Sequence, residues 1–503
     1  MRTRRQLTLT LLAIIGIVVI VNILAVTFHG RFDATEDKEY TLSNATKNIL
    51  RNLDDVVNIT AYFSEDLPPE YAQVRKEFKD MVNEYAALAK GNIVFKFVDP
   101  LGNNELEQEA MKYGVRPVLL SVREKDKNEQ QKAYLGAVVA FGDKTEAIPI
   151  IQPKTPLEYT LTTSIKKVSI TNKPYLGFIQ GHNEIPMQNF GQLFNEIGFL
   201  YNLENVYLSD TTNLLRYKTL VINAPRQPFN ENELALLDNF LANGGKLFLN
   251  IEHVNADLQS SMELTSITTG LEGWLTQKGL VIEDDVVIDK HCGNIGVKQQ
   301  QGMFNMTVPV SFPYLPIITN FAEHPITESL KGVSLMFPSS LQFTGNEGIQ
   351  FTPIMFSSEA AQNVILPVYI DVTRKWSDTD FPMHSIPVAG VLTGSFNNGP
   401  TTNIVVVADG DYAASQGGQR TNADNVNLMA NSIDWLSDDT GLIELRSKGI
   451  NYRPIDEISD SKKATLKWVN FLLPIVLIIL YGIFNWQKRL IKRNKRTEEN
   501  YVQ

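Results

Sequence analysis

Long uncharged apolar runs sit near both ends of this 503-residue chain. Residues 7–28 read LTLTLLAIIGIVVIVNILAVTF and contain no Asp, Glu, Lys or Arg. As a helix rising ~1.5 Å per residue, this run reaches roughly 33 Å, against a hydrocarbon core of about 30 Å. Residues 469–486, VNFLLPIVLIILYGIFNW, would reach roughly 27 Å. Trp468, Tyr481 and Trp486 lie near its ends, where interfacial aromatics are common. The first run exceeds the ~7–15 apolar residues of a signal peptide, and Val26-Thr27-Phe28-His29 offers no small-x-small cleavage site. Two transmembrane helices are therefore expected. Arg2, Arg4 and Arg5 precede the first, and Lys488, Arg489, Lys492, Arg493, Lys495 and Arg496 follow the second. The positive-inside tendency then puts both termini in the cytoplasm.

Charge separates the anchors from what lies between them. The chain carries −10 overall, with +3 before the first run and +4 after the second, so the intervening segment holds −17. Such an acidic ectodomain is unsuited to nucleic acid. The single cysteine, Cys292, excludes an intrachain disulfide framework, a CxxC pair and cysteine-cluster zinc sites. No GxxxxGK[ST] phosphate loop occurs, so ATP hydrolysis must come from a partner. Two spans are too few to line a transport path alone. No cofactor, metal or catalytic residue is expected.

Residues 1–6 form a cytoplasmic N-terminus, 7–28 a span, and 29–54 a linker with a helix over 44–53 capped by Ser43. A β/α alternation follows over 55–172. Strands are expected at 56–63, 93–98, 118–122, 134–141 and 147–151. Tyr71, Val74, Phe78, Met81, Tyr85 and Leu88 recur at helical spacing within 70–90. Helices are also expected at 105–113 and 159–170. This order resembles a thioredoxin-like fold, with Pro117 placed ahead of a strand as that fold places its proline. Ser64-Glu65-Asp66-Leu67 stands where a redox CxxC would be, so the redox chemistry does not carry over.

Residues 173–456 read as a larger α/β unit. Strands at 175–180, 219–223, 246–251 and 403–407 alternate with helices at 187–197, 230–241, 271–280 and around 426–436. Asn230 and Glu233 have capping-box spacing. The pattern predicts a flavodoxin-like parallel sheet with helices on both faces. Prolines recur through 293–399, which is read as short strands and loops elaborating a sheet edge. A linker at 457–468, the span at 469–486 and a basic cytoplasmic tail at 487–503 complete the chain.

Several segments together resemble the GldG-like family: Tyr40-Thr41-Leu42-Ser43, Gly181-His182-Asn183-Glu184, Gly244-Gly245-Lys246, His324-Pro325-Ile326-Thr327, Ala408-Asp409-Gly410-Asp411, and NVNLMANSIDWLSDDTGLIELR at 425–446. The resemblance extends over essentially the whole chain. It implies a gliding-motility-associated auxiliary membrane subunit of an ABC-2-type transporter, in the bacterial inner membrane, with residues 29–468 periplasmic. The implied partners are an ABC-2-type permease, a cytoplasmic ABC ATPase reached through it, and membrane lipid. It also implies a class I amidotransferase-like fold for the central unit.

Gly181, His182, Asn183 and Glu184 follow a strand, where α/β sheets bind ligands, and are candidates for ligand or partner contact; the alternative is a turn capping the next helix. Asp409 and Asp411 follow another strand and could hold a hydroxyl-rich ligand or a cation; without further acidic positions at regular spacing, capping or a partner-facing loop is the plainer reading. Asp284-Asp285 and Asp438-Asp439 read as solvated surface. Asn22 and Pro474 are candidates for packing against permease helices. Cys292 lacks the strand–turn–helix elbow of an amidotransferase nucleophile. Two alternatives to the transporter-subunit reading are a membrane-tethered binding module working without an ATPase and a degenerate amidotransferase-like enzyme.

Overall fold

A computed structural model describes residues 16, 41–124, 127–153, 155–170, 172–258, 260–301, 304–415, 420–437 and 460–499. Apart from residue 16, the first apolar run, with Asn22, lies outside the described residues, as does the pair Asp438-Asp439. Two compact units are distinguished, residues 1–450 and 451–503.

The larger unit begins with a helix at Asn44–Arg51, where the Ser43 hydroxyl accepts from the Thr46 N–H at 3.1 Å. The first sheet contains strands β1 (Val57–Phe63), β2 (Ile93–Val98), β5 (Leu135–Phe141) and β6 (Lys144–Ile148), in the order β2-β1-β5-β6. β1 runs parallel to β2 and antiparallel to β5, with Val57 opposite Ile93 and Asn58 opposite Ala140. Helices Pro69–Leu88, Asn104–Lys112 and Leu157–Ser169 accompany it. Val74, Phe78, Val82 and Tyr85, at spacings of three and four, form the buried stripe of the first of these.

One sequence expectation changes here. β3 (Val118–Glu124) does not join this sheet but pairs with β4 (Lys127–Ala133) as a separate hairpin. Pro117 therefore precedes the hairpin, not the strand beside β1. β4 reads KNEQQKA and has no apolar alternation to announce it.

The second sheet has eight strands. β7 (Tyr175–Ile179), β8 (Asn202–Val206), β9 (Tyr217–Asn223), β10 (Lys246–Asn250) and Thr401–Val407 lie parallel in the order β8-β7-β9-β10-(401–407). Pro387–Ser395, Ile349–Phe356 and Asn320–Phe321 extend it antiparallel. The sheet is thus mixed, not purely parallel, and part of 293–399 supplies full strands. Alternate residues feed separate cores. Val221, Phe248, Val405 and Val407 pack with Leu193 and Ile197 of one helix and Val426, Met429 and Ile433 of another. Leu220, Ile222, Leu247, Leu249, Ile404 and Val406 pack on the opposite face with Leu237, Phe240 and Leu241. Covering both faces explains why these strands are almost wholly apolar.

Three further differences have physical causes. The helix expected over 271–280 stops at Thr276, because Gly279 takes φ +88 and a side chain there would press on the Gly345 backbone at 2.9 Å. Cys292–Gln301 and Phe304–Ile318 form a long hairpin. Asp285 is buried, not solvated: its carboxylate accepts from the Ser340 N–H at 2.8 Å, the Ser340 hydroxyl at 2.6 Å and the Asn363 amide at 3.0 Å.

In the smaller unit a helix spans Asp460–Glu499 and runs through Pro474. It therefore includes part of the expected 457–468 linker and of the basic tail. Thr465–Ile491, 27 residues, is long and apolar enough to cross a membrane by length and composition. The expected 469–486 span lies within it.

Candidate functional site

Loops at the carboxyl ends of the parallel strands of the large sheet carry several polar residues. Gly181-His182-Asn183-Glu184 follows β7, Ala224-Pro225-Arg226 follows β9, Glu252-His253 follows Ile251 beyond β10, and Ala408-Asp409-Gly410-Asp411 follows Thr401–Val407. Backbone in the left-handed region occurs in two of these loops: Gly181 has φ +129, Asn183 +60 and Ala224 +48. Asn183 tolerates this region, whereas Ala224 is held there against its preference, as happens where surrounding structure dictates the turn.

The structure places the four residues after β7 in a closed knot. His182 is buried and its ring stacks on Phe229 at 3.7 Å, 13° from parallel. Nδ1 lies 3.1 Å from Glu184 Oε1, and Nε2 lies 3.1 Å from Glu233 Oε2. The His182 N–H donates to Glu184 Oε2 at 2.7 Å, and its carbonyl accepts from Arg226 and Gln227 at 2.8 and 2.9 Å. Burial works against the imidazolium, but hydrogen bonds and charge from Glu184 and Glu233 outweigh it and raise the pKa. Glu233 also closes a capping box: its Oε2 accepts from the Asn230 N–H at 2.8 Å, and Asn230 Oδ1 accepts from the Glu233 N–H at 3.0 Å. His182 thereby clips β7 to the helix Glu231–Ala242. Both ring nitrogens are engaged within the protein, and Gly181 and Asn183 alone of the four are exposed.

Asp409 and Asp411 come together with a residue that the sequence reading passed over, Glu252. Oxygen atoms of the three carboxylates lie within 4.8 Å of one another. Glu252 and Asp409 are buried, at 6% and 1% exposure, while Asp411 is half-buried. Asp409 Oδ2 accepts from the Met336 N–H at 2.6 Å and Oδ1 from the Asp411 N–H at 3.1 Å. Glu252 Oε2 is buried without a hydrogen-bond partner. Burial, then repulsion from Asp411, pushes the Glu252 carboxyl up to about 8, with Arg226 pulling the other way. Burial and the charges of Asp411 and Glu252 likewise hold Asp409 well above the carboxylate range. Gly410 permits the approach: a Cβ there would stand 2.5 Å from Ala224 Cβ and 3.0 Å from Glu252 Cβ.

Beside this cluster, His253 Nε2 meets Asp284 Oδ1 at 2.8 Å, while Nδ1 is 3.9 Å from Glu272 Oε1, too long for a hydrogen bond. Beneath it, Tyr412 donates to Asn250 Oδ1 at 3.1 Å, and the Asn250 amide donates to Asn223 Oδ1 at 2.6 Å. Cys292 opens a strand instead of standing at an elbow, and burial pushes its thiol pKa up. Glu233 was read only as part of a helix cap, and Glu252 and His253 were missed, although Glu252-His253 follows KLFLNI much as Ala408-Asp409 follows NIVVV. The rule of looking past the last apolar residue of each strand would have found both.

The family model described as ABC-type uncharacterized transport system matches residues 173–436. A second model, described as a domain of unknown function, matches residues 36–140. An uncharacterized protein of Borreliella burgdorferi is 20% identical over 485 residues, spanning 91% of this chain and 93% of that protein. Among solved structures, the mmIFT52 N-terminal domain aligns at 14% identity with a TM-score of 0.36, covering 52% of this chain and 97% of its own. A ThuA-like protein from Parabacteroides merdae aligns at 10% identity with a TM-score of 0.31, covering 53% of this chain and 91% of its own. Scores this low do not establish a shared fold.

Proposed function

Since the chain belongs to the ABC-type uncharacterized transport system family of ABC-transporter auxiliary proteins, we propose that it is a non-catalytic subunit anchored beside an ABC-2-type permease and served by a cytoplasmic ABC ATPase. The observation that carries this reading is the family match over 173–436 in a chain that also holds a membrane-length apolar helix at Thr465–Ile491. In this reading residues 7–28 supply a second span, both termini are cytoplasmic, and the acidic segment between faces the periplasm. The subunit couples permease motion to cargo or envelope machinery, and its resemblance to GldG-like proteins favours gliding motility as the process.

The strand order β2-β1-β5-β6, with β1 and β2 parallel and β5 and β6 antiparallel, supports a thioredoxin-like first domain. In the second, the parallel order is second, first, third, fourth, fifth, which supports a flavodoxin-like or amidotransferase-like core. A non-catalytic role draws support from Cys292, which begins an extended strand with a raised thiol pKa. The closed His182 knot supports a structural role for Gly181–Glu184, with Asn183 on its outer side available to a partner. Pro474 and Asn22 remain positions for packing against permease helices.

Affinity purification of the full-length protein in mild detergent tests the proposal. Recovery of a polytopic permease together with an ATPase is expected. Recovery of this chain alone, under conditions that keep other transporters intact, would overturn it.

A further inference from the structure

We propose that Glu252, Asp409 and Asp411 form a binding site for a hard divalent cation of the Ca²⁺ or Mg²⁺ kind at the carboxyl edge of the large sheet. The inference is independent of the transporter reading. Three observations carry it.

The first is geometry. Oxygens from three carboxylates on two loops converge within 4.8 Å, a separation that one ion coordinated at ~2.1–2.5 Å can bridge. The set is all oxygen, with no thiolate or imidazole, which selects hard cations over zinc or copper. The second is the orphaned atom. Glu252 is 94% buried by its 6% exposure, and its Oε2 has no hydrogen-bond partner. A buried carboxylate oxygen left unpaired, in a residue that meets two other carboxylates, is costly unless something positive completes it. The third is charge. Arg226 is the cation that acts on Glu252. When ionised, the three carboxylates outnumber that guanidinium, and a divalent cation offsets the excess of negative charge.

The surroundings suit coordination. Asp409 is fixed by the Met336 and Asp411 N–H groups, so its carboxylate is oriented before any ion arrives. Gly410 lets the loop close onto Glu252. Asp411 is the least buried of the three, and in the proposed site water would supply the remaining ligands.

The test uses the full-length protein in detergent, freed of metal with EDTA and then titrated separately with CaCl2 and MgCl2. Thermal unfolding and retention of radioactive Ca²⁺ are the readouts. A saturable rise in melting temperature is expected with at least one of the two ions, together with one bound ion per chain when that ion is Ca²⁺. Glu252→Gln and Asp411→Asn should each weaken the response at least tenfold in concentration, while Glu347→Gln, on an exposed loop, should leave it unchanged. Because Glu252 is buried, Asp411→Asn decides the matter if Glu252→Gln fails to fold. No response to either ion, or a response that survives Asp411→Asn undiminished, would overturn the proposal.

Discussion

Replacing Gly410 by alanine measures how tightly the carboxyl edge of the large sheet is closed. The new Cβ would lie 2.5 Å from Ala224 Cβ, 2.7 Å from Ala224 Cα and 3.0 Å from Glu252 Cβ. Gly410 is not among the residues with positive φ, so alanine can adopt its conformation and the penalty is contact alone. Carbon atoms pack at about 3.5–4.0 Å, so the loops after β9 and after Thr401–Val407 must part by roughly an ångström. The opposing atoms belong to backbone or sit directly on it, and Ala224 is already constrained at φ +48. Overpacking costs about 1–3 kcal/mol, and rigid neighbours place this case near 2–3 kcal/mol. With an unfolding entropy of about 2.1 cal/mol/K per residue, that lowers the melting temperature of a chain of this size by roughly 2–3 °C. The assay is thermal unfolding of the full-length protein in detergent, followed by intrinsic fluorescence. Gly273→Ala is the control: it lies in the helix Leu271–Thr276 with nothing within 4 Å of its added Cβ. That change should be neutral or stabilise by up to ~1 kcal/mol. If Gly410→Ala melts with the wild type, or Gly273→Ala falls as far, the close-contact reasoning is wrong.

Other outcomes follow from the same contacts. His182 has a raised folded pKa, so its contribution is fully present below the unfolded value near ~6.5 and is lost as pH rises through the folded value. His182→Gln should therefore flatten the decline of stability above that pH; an unchanged pH profile would count against the Glu184–His182–Glu233 clip. Asn230→Ala removes half of a capping box and should destabilise by ~1 kcal/mol, with faster amide exchange in the first turn of Glu231–Ala242. Unaltered exchange there would show that the cap is dispensable. Glu158 Oε1 accepts from the Ser43 N–H and the Thr46 hydroxyl, both at 2.7 Å. Glu158→Ala should cost about 2–3 kcal/mol and speed exchange across Asn44–Arg51; exchange at the wild-type rate would refute that staple.

Local signals account for the parts of the fold that were legible in advance. Of the expected stripe, Val74, Phe78 and Tyr85 are buried, Tyr71, Met81 and Leu88 pack at its margin, and Val82 joins it unannounced. TLVIN, KLFLNI and NIVVV are too apolar for a half-exposed strand, and each feeds both cores of the large sheet. Ser43 and Asn230 cap the helices that their spacing announces, because a cap is satisfied within four residues. The C-terminal apolar run emerges as helix for the same reason: its backbone hydrogen bonds are all local.

Where pairing decides the state, local signals fail. Lys127–Ala133 is polar throughout and becomes a strand through its partner Val118–Glu124. Asn202–Val206 is fixed by β7 beside it, and Pro387–Ser395 takes its antiparallel direction from Thr401–Val407. The candidate site shows the limit most clearly. Residues after apolar strands can be picked out one by one, as His182, Asp409 and Asp411 were. That Glu233 meets His182, and Glu252 meets Asp409 across more than a hundred residues of chain, depends on the order in which the strands lie. Sequence alone determined the helices and the apolar strands whose signals are local, since those choices rest on neighbours along the chain. Only the tertiary structure decided which carboxylates share one buried, low-dielectric space, because hydrogen-bonded register between distant strands sets those distances.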